Sequence, residues 1–139
     1  MISKIVKDNL EKLINIMLTD GVQPSDMANS IFDTSYEKIK FHKKDDFVIG
    51  EFMFSDEDSS SVKMIYVYSQ KDRKLLKIEE ESKENKLVLW DRELRKEELL
   101  DRVVELISEH YSRDESEKFL EKLPKNLRNK AKKKYMNII

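Results

Sequence analysis

A chain of 139 residues fits one domain with one continuous core. Its 39% apolar and 40% charged residues fall into periodic apolar blocks under a heavily charged surface, which argues against a disordered chain. With no cysteine there are no disulfides, thiolate zinc sites or cysteine nucleophile, and with only Gly21 and Gly50 there is no glycine-rich phosphate loop.

Met1 to Leu18 does not read as a signal peptide, because Lys4, Lys7, Asp8, Glu11 and Lys12 interrupt any apolar stretch. Nor does any apolar run approach the ~20 residues of a membrane span. The expectation is a soluble, cytoplasmic protein. Ile2, Ile5, Val6, Leu10, Leu13, Ile14, Met17 and Leu18 recur at three- and four-residue steps and predict an amphipathic helix with a wide apolar face. Gly21 is a stop signal for it, and Pro24 with Ser25 opens a short second helix holding Met27 and Ile31.

From about Ser35 the period changes to that of strands. Five are expected, at Tyr36 to Lys43, Phe47 to Phe54, Val62 to Ser69, Leu75 to Glu80 and Leu87 to Asp91. The polar breaks between them are too short for crossover helices, so neighbours form antiparallel hairpins in a five-stranded meander. The second and third strands are apolar on both faces and call for cover on both. The first and fourth alternate more cleanly, as strands nearer an edge do, and charges there discourage edge pairing.

A long helix follows from about Leu94 to Tyr111, with Leu99, Leu100, Val103, Val104, Leu106, Ile107 and Tyr111 on its apolar face. Ser112 and Glu115 match a capping box and start a short helix carrying Phe119, Leu120 and Leu123. Pro124 opens the last helix, where Leu127, Ala131 and Tyr135 form a thin apolar stripe. The fold class expected is α+β: one antiparallel meander packed by an N-terminal helix and a long C-terminal helix, with two short helices at the end. The whole is read as a single domain, 1–139, ending in a basic helix or tail, 124–139.

That tail is the main functional signal. It holds Lys125, Arg128, Lys130, Lys132, Lys133 and Lys134 and no acid, whereas the preceding residues set 21 bases against all 28 acids. Segregation of this kind implies an electrostatic partner for the tail, docking of the tail on its own acidic body, or a solvated end. Glu79, Glu80, Glu81 and Glu84 form a second candidate, an acidic patch for a basic partner or for the tail itself.

The remaining motifs read as structural. His42 lies among Lys40, Lys43 and Lys44, and His110 has Leu106 and Ile107 where a helical metal pair needs a carboxylate, so no metal or cofactor is expected. Asp56, Glu57 and Asp58 lack EF-hand spacing, no serine lies in a G-x-S-x-G elbow, and no acid–base pair stands out. Trp90 reads as a core anchor, and Tyr66 and Tyr68 share one strand face under cover.

Helix, antiparallel meander, helix resembles the frataxin arrangement in topology. That family's acidic first helix is not matched, since only Asp8 and Glu11 stand on the first helix here. Helix, strands, helices also resembles some small phage-encoded inhibitors and bacterial immunity proteins. The functional expectation is a small non-enzymatic module that binds another protein through charged surfaces as an inhibitor, immunity factor or adaptor. The alternatives are a nucleic-acid-binding accessory protein using the basic helix, and an enzyme or small-ligand binder with a pocket near Tyr66, Tyr68 and Trp90. Two-sided apolar strands also allow a homodimer.

Overall fold

A computed structural model describes residues 3–58 and 60–139, so what was expected of Met1, Ile2 and Ser59 lies outside the described residues. The chain runs α1 (Lys4–Leu18), a 3-10 helix (Pro24–Phe32), strands β1 (Tyr36–Lys44), β2 (Phe47–Ser55), β3 (Ser61–Ser69), β4 (Leu75–Ser82) and β5 (Lys86–Asp91), then α2 (Arg92–His110), α3 (Arg113–Glu121) and α4 (Lys125–Ile138). The strands make one open antiparallel sheet in the order β1-β2-β3-β4-β5, giving the expected mixed α+β class. Two compact units emerge: Met1–Leu18 with Leu94–Ile139, and Thr19–Glu93.

In the helical unit the apolar faces bury one another. Val6 and Leu13 of α1 share a core with Leu99, Leu100, Val103, Val104, Leu106 and Ile107 of α2, Phe119 and Leu120 of α3, and Leu127, Ala131 and Tyr135 of α4. The buried face of α1 is narrower than the sequence period suggests. Leu10 and Met17 join Val6 and Leu13, whereas Ile5 and Leu18 at the margins are exposed. The predicted capping box is present: Ser112 Oγ accepts from the Glu115 N–H at 3.2 Å, and the Glu115 carboxylate accepts from the Ser112 N–H at 3.0 Å. Those hydrogen bonds hold the Glu115 carboxyl below its usual range. Ser116, fully buried, donates its hydroxyl to the Ile107 carbonyl at 3.1 Å and so lets α3 approach α2 closely. α2 starts at Arg92, earlier than the apolar pattern signals, because β5 leads into it with no loop between.

In the sheet unit, strand alternation divides side chains between two faces. On one face Tyr36, Phe41, Phe52, Phe54 and Tyr66 form edge-to-face ring pairs with centroids 5.4–6.1 Å apart. Gly50 makes this possible. A Cβ there would come within 2.5 Å of the Phe41 ring, so only glycine lets that ring lie across β2 to meet Phe52. The sheet end nearest the β3–β4 turn is strapped by the segment after α1. Leu75 N–H donates to the Asp20 carbonyl at 2.8 Å, Tyr68 Oη to Val22 at 2.8 Å, and Gln23 Nε2 to Arg73 at 2.9 Å. Gly21 turns within this strap at φ +83°, a left-handed conformation, with no room for a Cβ beside Leu75.

Burial, reinforced by the nearby Tyr66 and Asp26, pushes the Tyr68 phenol up to about 12. The group stays protonated when folded and ionises near its ordinary value of 10 when unfolded. Its contribution to stability is therefore complete below about pH 10 and lost as pH rises towards 12. Tyr68→Phe is expected to cost about 1 kcal/mol at neutral pH through the lost hydrogen bond. In an ultraviolet titration it should also remove the tyrosine whose ionisation is pushed up to about 12. An unchanged titration curve would contradict this assignment.

Candidate functional site

The basic segment forms α4, with its charges sorted by helical position. Leu127, Ala131 and Tyr135, spaced by four, are buried in the helical core. The residues beside that stripe reach neighbouring helices. Lys134 meets Asp101 at 2.6 Å and also Glu97, both on α2, and Lys132 meets Glu121 on α3. Hydrogen bonding to Asp101 and Glu97 raises the Lys134 pKa. Arg128 Nε and Nη2 donate to the Leu123 carbonyl at 3.3 and 3.2 Å, capping the chain where α3 ends. Half of the six bases thus hold their own fold together. Lys125, Lys130 and Lys133 are exposed and make no ion pair among the described residues, and they share the outer face with Asn126 and Asn129.

The acidic run is not gathered in the same way. Glu79 and Glu81 stand on one face of β4 and Glu80 on the other, while Glu84 lies in the β4–β5 turn. Glu79, with its side chain only 13% exposed, pairs with Lys86 at 3.6 Å. Four consecutive-looking acids therefore make no single patch.

The face opposite the aromatic rings carries a cluster that went unnoticed in the sequence, centred on Glu51. Its carboxylate lies 3.1 Å from Lys63 Nζ, 3.1 Å from His42 Nε2 and 3.9 Å from Lys40 Nζ. Burial works to raise the Glu51 pKa, but the hydrogen bond from Lys63 and the charges of Lys63, His42 and Lys40 together keep it below the usual value. Register explains the grouping: Lys40 stands directly opposite Glu51, which pairs with Ile65 in turn, so bases from the two flanking strands converge on one acid. His42 has a structural partner here, and His110 sits exposed in the last turn of α2.

Arg92 was also missed. It is 3% exposed, donates from Nε to the Leu75 carbonyl at 2.7 Å, and lies 5.4 Å from the Trp90 ring centroid. Trp90 is half-buried, and Tyr68 is buried under the strap by its bond to Val22. Asp56 and Asp58 accept backbone hydrogen bonds within their own loop. Among the described residues no three metal-ligating side chains cluster, and no helix is long and apolar enough to cross a membrane. A groove of about 470 Å³ runs between α3 and α4, floored by Leu120, Tyr135, Met136 and Ile139 and rimmed by charges that include Asp114 and Lys132.

The two sheet edges differ sharply. β1 presents exposed Lys38, Lys40, Lys43 and Lys44, the usual defence against a foreign strand. β5 presents Leu87, Val88 and Leu89, each more than half exposed, and the strand has a neighbour on one side only. Comparison with protein-family models, curated proteins and solved structures finds no match.

The buried stripe makes α4 part of the helical core. Removing residues 124–139 is expected to collapse the cooperative melt of that core, since each buried Leu or Tyr contributes about 1.5–3 kcal/mol. Ala131→Asp should cost about 3 kcal/mol or more by placing an unpaired charge at a fully buried position. Lys133→Ala should stay within about 0.5 kcal/mol. Thermal unfolding followed by circular dichroism separates the three, and a normal melt after truncation would contradict the core assignment.

Proposed function

We propose that this chain is a non-enzymatic protein-binding module whose sheet accepts an extended strand from another polypeptide along β5. The carrying observation is the contrast between its edges: lysines guard β1, while β5 leaves Leu87, Val88 and Leu89 exposed. Strand addition draws affinity from main-chain hydrogen bonds and specificity from alternate side chains. The charged surroundings of the sheet steer and select the partner. A benzophenone side chain placed at position 88 should crosslink a protein segment under native conditions, and one at position 40 on β1 should not. Adducts from neither site, or equally from both, would refute the reading.

A second reading has its own support in the outer face of α4, where Lys125, Lys130 and Lys133 alternate with asparagines. Such a face can meet phosphates without reading sequence. Three lysines on duplex DNA would give a log affinity against log salt slope of about −3, where six would give about −5. Fluorescence anisotropy on the triple change of those lysines to Glu tests this without disturbing the core. Binding that survives the change would exclude this face.

A further inference from the structure

We propose that the strand completing the β5 edge comes from a second copy of this chain, the two β5 strands pairing antiparallel about a two-fold axis. This rests on the strand-addition reading and names its partner. From Lys86 to Asp91 the strand reads lysine, leucine, valine, leucine, tryptophan, aspartate. Laid antiparallel on its copy with the axis between Val88 and Leu89, each Lys86 meets the other copy's Asp91. Leu87 then meets Trp90, and Val88 meets Leu89. A two-fold interface must be complementary to itself, and here unlike charges close both ends while apolar side chains fill the middle. Opposite charges and apolar pairs are the favourable cross-strand neighbours of an antiparallel ladder.

That register requires opposed residues to share a face. A regular strand would fail, because residues three apart, such as Leu87 and Trp90, alternate to opposite faces. β5 is not regular. Ile78 pairs with Trp90, but the next residue, Glu79, pairs with Val88, so Leu89 is an inserted bulge residue. The insertion restores the phase. Leu87 and Trp90 stand on one face, opposite Glu80 and Ile78, and Lys86 and Asp91 on the other, opposite Glu81 and Lys77. The bulge thereby puts both outer pairs, Lys86 with Asp91 and Leu87 with Trp90, on common faces, and leaves Val88 and Leu89 at the axis.

A bulge bends an edge away from a straight intruding strand, but two copies bulged at the same place bend together. Lys86 leans on Glu79 at 3.6 Å, yet its side chain stays 56% exposed. The β1 edge fails the same test: reversed on itself about its midpoint, it sets Lys40 against Lys40 and Lys38 against His42.

Sedimentation velocity of the full chain across a concentration series is the first test, and a dimer is expected. Lys86→Asp gives a chain with an acid at both ends of the strand, and Asp91→Lys one with a base at both ends. Each alone should dimerise about tenfold more weakly or worse, and an equimolar mixture should recover dimers holding one chain of each kind, read by native mass spectrometry. A monomeric wild type overturns the inference, as does a mixture that forms no such heterodimer while circular dichroism shows both variants folded. Should the variants not fold, crosslinking from position 88 in purified wild-type-like chain decides: an adduct to another copy supports self-pairing and its absence refutes it. An adduct from position 88 to a different protein would refute self-pairing while leaving the strand-addition reading in place.

Discussion

An open antiparallel meander has two edges, and hairpin connections make them its first and last strands. Each edge exposes backbone donors and acceptors that water or another chain must satisfy. In this sheet the two are treated differently. β1 carries four exposed lysines, and β5 carries an apolar run between Lys86 and Asp91. The asymmetry needs a physical cause, because more than half of each of Leu87, Val88 and Leu89 faces solvent in a chain otherwise rich in charge. The strand addition proposed above would supply that cause.

Behind the edge, the sheet is organised by what each face can tolerate. One face stacks aromatic rings edge to face, which depends on Gly50 leaving room for Phe41. The other gathers Lys40, His42 and Lys63 around Glu51, where three bases satisfy one largely buried acid. Arg92 is buried at the foot of the sheet, its charge directed at the Leu75 carbonyl and the Trp90 ring. Such partly desolvated groups specify register more than they stabilise, since a slipped strand would leave a buried charge alone. The strap over Tyr68 and Leu75 ties down the end of β3 and β4 in a similar way, by hydrogen bonds to backbone carbonyls.

In the helical unit the basic segment illustrates how one helix can serve two purposes. Its stripe of Leu127, Ala131 and Tyr135 belongs to the core, and its flanking bases neutralise Glu97, Asp101 and Glu121 on neighbouring helices. The charge segregation along the chain is thus answered in part within the molecule. Of the six bases in that segment, Lys125, Lys130 and Lys133 stand on the exposed outer face of α4.

Local signals were legible in the sequence. The capping box at Ser112 and Glu115, the helical period of α2 and α4, the five strands and their short hairpin turns all depend on residues within a few positions of one another. The stripe of α4 showed that it could dock, because burial of residues spaced by four is a property of one helix. What could not be read were relations between strands far apart in the chain. Glu51 joins bases 9 to 12 residues away only because β1 and β3 flank β2 in one register, and the acids from Glu79 to Glu81 are separated because adjacent strand residues face opposite ways. The bulge at Leu89 depends on a single slip between β4 and β5, which no periodicity in Lys86 to Asp91 announces. Sequence alone determined which segments would be helix and strand, since backbone preference and apolar period are local. Only the tertiary structure decided which side chains share a face or an edge, because pairing register is set by the fit of whole strands to one another.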